Sequence, residues 1–508
     1  MTSERWDVVV VGSGFAASIL ARILARQGRE VLLVERGAHP RFALGESTTP
    51  LANLTLERLA RRWDLPDLWN LANWGRFKKS FPELGVGKKR GFTFYRHRAG
   101  EEFAPGPANE SRLLVAASPK DALADTQWLR RDVDHHLVDA AVAAGVTYRD
   151  ETRLDDIEIR SRGLRLAGMR RGESFRCTAS FVVDASGPSG FLAHRLPIEQ
   201  VPPPGPPRAL VYGHFAGVEP FERESFEVGP YPDDWAAVHH LLEEGWMYQL
   251  RFDAGALGEG EGVSAGVVLA DASEMRAEPA EVWRRRLARY PSLERQFAQA
   301  EPLRPIVALP NLRHRLVTSA GDRWALLPHT YGFFDPLYAT GMAWSLAGVD
   351  RLAELFAAGR PTPGGLVRYD RLLRKEADHL EGLIEGAWRL MPHFPAFAAY
   401  SQLYFAAASY SEVRRRLWPE KEWTWDGFLG AEDKVISGWF EEIHHLPAEE
   451  VAGWVPKAIA PRNIAGLADP ARRNLYPVDF EVLIERAGLL GWTEYAMREA
   501  LPRLMGEE

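Results

Sequence analysis

Cysteine is almost missing from this chain of 508 residues, which holds a single one, Cys177. No disulfide can close within the chain, a cysteine-based metal site is excluded, and a reducing compartment, the cytoplasm, is the expected location. No window of 18 or more apolar residues is free of charge, so no membrane span is expected. The N-terminus, MTSERWDVVVVGSG, lacks the apolar stretch and small-residue cleavage site of a signal peptide. Charge of one sign is also lacking. Against 69 acidic residues stand 62 basic ones, and the net charge of -7 leaves no electrostatic footprint for nucleic acid. HExxH and CxxC patterns are absent, and SGPSG (186–190) is the nearest approach to a nucleophile elbow, which argues against a hydrolase. Histidines occur as the neighbours His135-His136, His239-His240 and His444-His445. Adjacent residues on a helix or strand point apart, so no metal site is expected.

What is present begins with a βαβ unit. DVVVVGSG is a β-branched run of the kind that forms a buried parallel strand. FAASILARILARQG has apolar residues at helical spacing and stops at Gly28, and EVLLVER supplies the second strand. Residues 40–75 read as mainly helical after the loop HPRFALGESTTP. Residues 91–117 alternate and read as strands of a second sheet. Residues 128–145 form an amphipathic helix with Val133, Leu137, Ala140 and Ala141 on one face. The proline-dense 197–208 marks a crossover, 209–270 is strand-rich again, and 279–300 reads as helix. From about 370 the chain reads as helical, with Trp388, Trp418, Trp423, Trp425, Trp439 and Trp454 to be buried against the body or a ligand.

Gly12, Gly14 and Ala17 stand at GxGxxA spacing between strand and helix. The first glycine permits the tight turn, the second lets a pyrophosphate approach the backbone, and the small third residue lets helix and strand pack closely. The phosphates would sit on the helix N-terminus. Glu35 ends the second strand, where an acid accepts hydrogen bonds from a ribose.

The combination GSGFAAS, ER, HPRFALGEST, WLRRDVD, FVVDASGPSGFLAHRL and GFFDPLYATGMAWSLAG, over roughly residues 5–355, resembles flavoproteins of the aromatic-hydroxylase type. Within them it is most similar to the flavin-dependent halogenases of phenols and pyrroles. The resemblance implies FAD as cofactor and a mixed α/β fold. A discontinuous FAD-binding domain (1–90, 110–205 and 305–365), doubly wound, is expected beside an interleaved antiparallel substrate sheet (91–109 and 206–304) and a helical C-terminal cap (366–508). The implied cofactor contacts are Gly12, Ser13, Gly14, Phe15, Ala16 and Ala17 in the turn, Glu35 with Arg36 and Arg41, and Ser47 of the GES loop. Arg130 on its helix, Asp184 and Gly187 on the adenosine side, and Asp335, Pro336, Thr340, Gly341 and Met342 at the isoalloxazine complete the set. No second nucleotide motif is present, so a separate flavin reductase is the implied supplier of reduced FAD. The implied substrates are chloride or bromide and a small aromatic, free or tethered to a carrier protein.

Family halogenases carry a lysine that relays or holds the oxidised halogen, in a KRGG-F-like stretch after the GES helices. KRGFTF matches it and makes Lys89 the catalytic candidate, with Lys88 and Lys79 as fallbacks. A desolvated lysine can lose its proton, which suits the role. Read without its neighbours, the same run is a solvated basic turn. Phe94, Trp246 and Tyr248 are the expected substrate-cavity residues. The sequence departs from the family at three points. Tyr248 and Leu250-Arg251 replace the second half of a WxWxIP signature. Pro328-His329 stands where a Gly-Asp pair usually bonds the ribityl chain, leaving His329 as a candidate cofactor contact or titrating group. Ala339 stands where the pattern has serine. Two other readings stay open: an FAD-dependent monooxygenase or dehydrogenase without halide chemistry, and a flavoprotein maturation partner acting on another polypeptide.

Overall fold

The computed structural model describes residues 4–223, 226–257, 261–273 and 275–505. Its first sheet is built on Glu4–Val11, which pairs in parallel with Val31–Val34 on one side and Glu173–Asp184 on the other; Thr147–Arg149 and Trp324–Leu326 extend it, also in parallel. Val8–Val11 and Val31–Val34 are fully buried, which is why the sequence shows unbroken apolar runs there rather than alternation. The helix Phe15–Arg26 packs on this sheet between Arg130–Ala143 and Thr340–Ala357. The carboxyl ends of the central strands, where nucleotides bind in such sheets, carry Gly12, Glu35 and Asp184.

The second sheet has nine strands and is antiparallel apart from Ala237–Leu241 beside Gly91–Arg96 and Leu475–Tyr476 beside Arg112–Ala116. Its two faces follow the period-two rule. Tyr95, Val238 and Met247 face a separate core closed by Val282, Trp283 and Leu287 of the helix Pro279–Leu287. Phe92, Phe94, Trp246 and Tyr248 face the main core and the long helix Phe394–Leu417. His239 and His240 part in the same way. His239 stacks on Phe94 at 4.6 Å, whereas His240 shares a 2.9 Å hydrogen bond with His97 on the other side.

Several boundaries differ from the sequence reading. Arg112–Ala116 and Val307–Leu309, expected within the nucleotide part, are strands of the second sheet. The C-terminal region contributes Leu475–Tyr476 to that sheet in addition to its helices. The helix expected over 279–300 is two, Pro279–Leu287 and Pro291–Gln296, because Pro291 cannot continue the first. The helices Pro363–Leu390 and Phe394–Leu417 form a hairpin against the body. Among the described residues no helix is long and apolar enough to cross a membrane.

Candidate functional site

At the nucleotide end, Gly12 has φ +95°, and a Cβ there would lie 2.6 Å from the Ala185 carbonyl oxygen, so only glycine fits. A Cβ on Gly14 would stand 3.3 Å from Arg130 Nη2. No side chain caps the Phe15–Arg26 helix, which leaves its first N–H groups to an anion. Phe15, with Arg130 above its ring, and Ala17 are buried, while Ala16 is half-buried. Glu35 accepts from Ser13 N (3.1 Å), Ser13 Oγ (3.0 Å), Gly37 N (2.9 Å) and Arg41 Nη2 (3.2 Å). Burial pushes Glu35 up, but Arg41 and these donors outweigh it and hold it below the usual carboxylate range. Arg36 is exposed. His39, which sequence reasoning passed over, has Nε2 2.7 Å from Ser13 Oγ. Asp184 accepts from Ser186 N and Oγ and from Leu192 N, so it fixes the DASG turn; Gly187 N donates to Thr330 Oγ1 at 3.0 Å.

The GES loop leans on the strand Asp125–Trp128. Trp128 N donates to Glu46 O, Thr48 N to Thr126 O, and Ser47 bridges Gln127. Arg130 is fully employed: it grips Asp134 with two hydrogen bonds and donates to the carbonyls of Leu44 and Gly45. Ser47 Oγ and both polar atoms of the Gln127 amide are buried without a partner among the described residues. Glu46 receives a 2.8 Å bond from His214 Nε2, and His214 Nδ1 accepts from Arg304 Nε.

Strand alternation sorts the three cations of the KKR run. Val86–Lys89 pairs antiparallel with Asp125–Trp128. On the outer side Lys88 Nζ reaches Asp121 at 2.6 Å and sits 3.2 Å over the Trp235 ring, and Arg90 shares Asp121. On the inner side Lys89 is wholly buried, donates to Thr48 O at 2.6 Å and lies 4.1 Å from the centre of the Phe92 ring. Burial pulls its pKa down, and Asp125 only partly restores it. Asp125 stands directly opposite Lys89. Asn53 Nδ2 donates to its Oδ1 at 2.6 Å, while Oδ2 has no partner among the described residues. Burial raises Asp125 against the pull of Lys89. Of the two fallbacks, Lys79 is exposed and Lys88 is committed to Asp121 and Trp235.

The DPLYATG segment leads through Ala339, at φ +51°, into the helix Thr340–Ala357. A Cβ on Gly341 would meet His329 Nε2 at 2.4 Å. That nitrogen is buried with no partner among the described residues, and burial, with Arg130 nearby, lowers the His329 pKa to about 3, so the ring is neutral at physiological pH. The Asp335 carboxylate accepts from Leu337 N (3.0 Å) and Trp388 Nε1 (2.9 Å), with Arg208 at 3.8 Å; burial raises it to about 6. It therefore ties its loop to the Pro363–Leu390 helix. Pro336 opens the turn that Ala339 closes, through Ala339 N to Pro336 O, and Met342 is buried under it.

Phe94, Trp246 and Tyr248, expected to line the substrate cavity, are packed in the core; Phe397 and Phe405 cover Phe94. They line neither of the two cavities described here. The larger cavity, about 140 Å³, lies on the other side of Phe92. Phe92, Tyr404, Phe405, Tyr476, Glu412 and Arg416 contribute to its wall. Glu412 accepts from Arg416 Nε at 2.9 Å, and burial raises its pKa. Both groups act electrostatically on Asp125, so a charged chain runs from the cavity to Lys89.

A glycine turn no side chain fits, a helix N-terminus without a side-chain cap and an acid at the end of the second strand define a dinucleotide-binding fold. The family model for FAD dependent oxidoreductases matches residues 7–295, more than half of the chain, which belongs to that family. Its relatives are more particular. The chain is 27% identical over 421 residues to the monodechloroaminopyrrolnitrin halogenase of Pseudomonas fluorescens, covering 81% of this chain and 73% of that protein. It is 28% identical over 420 residues to the tetracycline 7-halogenase of Kitasatospora aureofaciens, covering 79% and 73%. The crystal structure of halogenase PltM in complex with phloroglucinol and FAD superposes with a TM-score of 0.82 at 20% identity, over 92% of this chain and 99% of that one, a likeness of fold. The chain is thus an FAD-dependent enzyme whose relatives are flavin-dependent halogenases.

Proposed function

We propose that this protein is a flavin-dependent halogenase of an electron-rich aromatic or heteroaromatic substrate, with Lys89 as its catalytic lysine. The observation that carries the proposal is the burial of Lys89. Of three adjacent cations it alone points inward, with one carbonyl as hydrogen-bond partner, between the GES loop and the cavity behind Phe92. The residues present fit FAD: Gly12 and Gly14 leave room for the pyrophosphate, Ser13, Glu35 and Arg41 offer ribose and phosphate partners, and Ser47 Oγ and His329 Nε2 are buried polar atoms lacking one. When bound, the reduced cofactor supplies two electrons which, with two from the halide, reduce O2 to two waters, so that Ar–H, X⁻ and H⁺ become Ar–X.

The protein's own residues would do the following. Thr48 O holds the Lys89 amine in place. Burial keeps that amine ready to lose its proton, and Asp125 opposes the loss. Lys89 Nζ orients the electrophilic halogen toward the cavity. Phe92, Tyr404 and Phe405 exclude water and receive the aromatic ring, and Glu412 accepts a hydrogen bond from its O–H or N–H. A free or carrier-tethered substrate, a separate flavin reductase and a cytoplasmic setting belong to the same proposal.

The test supplies enzymatically reduced FAD, O2, bromide and a panel of phenols and pyrroles, and reads bromine incorporation by mass spectrometry. Incorporation that Lys89→Ala abolishes, with flavin oxidation continuing, is the expected result. Flavin oxidation with hydroxylated product and no bromide dependence would replace the proposal with the non-halogenating monooxygenase.

A further inference from the structure

A second cavity, about 40 Å³, opens further along the Pro50–Trp63 helix, whose first residue lines the one described above. Leu54, Arg58 and Arg61 of that helix face it, and so do Asp350 and Arg351 of Thr340–Ala357, Arg415 at the end of Phe394–Leu417, and the segment from Pro419 to Phe428. Nothing in the oxidative chemistry uses it. Four guanidinium groups meet two carboxylates there, and the pairing can be followed one by one.

Arg351 is closed off by Glu376, which accepts from Nη1 at 2.7 Å and from Nη2 at 2.6 Å, and it donates besides to the carbonyls of Thr424 and Asp426. Arg58 pairs with Asp350 and also bonds Thr424 Oγ1, with the exposed Glu422 at 3.7 Å. Arg61, exposed, lies over the Trp69 ring at 5.3 Å and has no ion pair among the described residues. Arg415, half-buried, forms no hydrogen bond and no ion pair with any described residue. Asp426 is the remaining carboxylate on the wall, and it acts on Arg415 only through space. Arg415 is thus the half-buried guanidinium of this wall that no described residue engages by hydrogen bond or ion pair.

An unpaired guanidinium inside a protein forfeits strong hydrogen bonds unless a partner is supplied. Burial, together with repulsion from Arg351 and Arg58, lowers the Arg415 pKa to about 10 despite Asp426, so its cationic form is under-compensated. Size narrows the partner. A water needs roughly 10–15 Å³ of such space, so about 40 Å³ holds one small ion with a water or two and excludes a phosphate monoester. Asp350 Oδ1, buried and without a partner among the described residues, would take a hydrogen bond from such a water.

We propose that this arginine-walled cavity binds a monovalent anion of halide size, held by Arg415 and Arg61, as a resident site separate from the oxidative centre. The ion joins the GES-side helix, the helix that follows the DPLYATG loop, and the end of the cap hairpin, three elements that otherwise bring like charges together here. The site makes the fold, rather than the turnover, depend on halide.

The experiment uses the FAD-loaded full chain. Crystals equilibrated with sodium bromide are examined for anomalous scattering, and thermal unfolding is followed while sodium chloride or bromide replaces sodium gluconate at constant ionic strength. The expected results are a bromine peak within hydrogen-bond distance of the Arg415 guanidinium and a saturable rise in the unfolding midpoint of roughly 1–2 °C at tenfold saturation. Arg415→Gln should remove both while leaving halogenation of substrate at the rate of the parent enzyme. Arg61→Gln, which should weaken the peak and right-shift the titration, serves if the first variant does not fold. Water without anomalous signal in the cavity, or the same halide dependence in parent and variants, overturns the proposal. Because bromine incorporation is read separately, loss of the halogenase reading and loss of this site are distinguishable.

Discussion

Replacing Asp125 by asparagine isolates the one charge that faces Lys89. The change is nearly isosteric, and Asn53 Nδ2 can still donate to the side-chain oxygen that replaces Oδ1, so the loss is electrostatic. Lys89 and Asp125 are direct cross-strand partners whose charges act on each other without a hydrogen bond between them. Unit charges near 5 Å at an effective dielectric of about 20 attract by roughly 3 kcal/mol, equivalent to about two pH units. Because burial already raises Asp125, its charge is incomplete near neutrality, and the expected effect is about one to two units. The sign is fixed. Asp125 raises the Lys89 pKa, so without it the amine loses its proton at lower pH. The limb of the pH–rate profile that belongs to Lys89 therefore moves to lower pH, whether that limb reflects a required amine or a required ammonium. Single-turnover incorporation of bromide from pH 5.5 to 10, at matched FAD content, reads the shift. A variant with lower kcat and an unmoved profile would reduce Asp125 to a packing residue and refute the coupling.

Lys89→Ala should abolish bromine incorporation, whereas Lys88→Met should keep it and lose about 1 kcal/mol of stability in chemical denaturation, from the Trp235 and Asp121 contacts. Gly12→Ala should cost FAD retention, read as flavin absorbance per protein after gel filtration, since its Cβ meets Ala185 O and its φ is strained for any other residue. Asp335→Asn should flatten the pH dependence of stability. An acid raised to about 6 binds more protons in the folded than in the unfolded state between its ordinary pKa and 6, so the parent loses stability as pH rises through that window, by up to about 3 kcal/mol relative to the variant in urea titrations from pH 4 to 7.

The nucleotide half was legible because its chemistry is local. A turn, a helix start and a strand-end acid lie within about thirty residues, and Ser13 and Glu35 meet as the spacing implies. His39 belongs to the same cluster and carried a signal, a polar ring three residues beyond the strand and its arginine, that went unused. The lysine was half-legible. Alternation along a strand says that Lys88 and Lys89 point opposite ways, but which of them points inward is set by Asp125–Trp128 and the GES loop, some forty residues away on either side. The surroundings of Phe94 were not legible because a tertiary contact sets them: Phe397 and Phe405, from a helix three hundred residues later, cover its ring. The cavity proposed for the substrate carries one signal in sequence, the Glu412–Arg416 pair, an i, i+4 couple on a helix otherwise rich in aromatics and alanine.

Of the departures from the halogenase pattern, Tyr248 lies on the strand Gly245–Phe252 of the second sheet, which packs against Val86–Lys89, whereas Ala339 and His329 lie at the DPLYATG end. Ala339 lies in the DPLYATG loop and His329 in the short helix Pro328–Tyr331 before it. Lys89 and Thr48 are joined by one hydrogen bond and Asn53 and Asp125 by another, and the charges of Lys89 and Asp125 act outward on His239, Tyr404, Glu412 and Arg416. Under the proposed function, the changes at Ala339 and His329 bear on how halide and cofactor are held. They do not touch the burial that lowers the Lys89 pKa, or the carboxylate that opposes it. A buried lysine facing a buried aspartate is costly to keep without a use, because desolvation of both ions exceeds what one imperfect pair returns. A leucine in place of Lys89 would pack against Phe92 at less cost. The persistence of both charges in the wall between the GES loop and the aromatic cavity is therefore weightier than the substitutions at the flavin end.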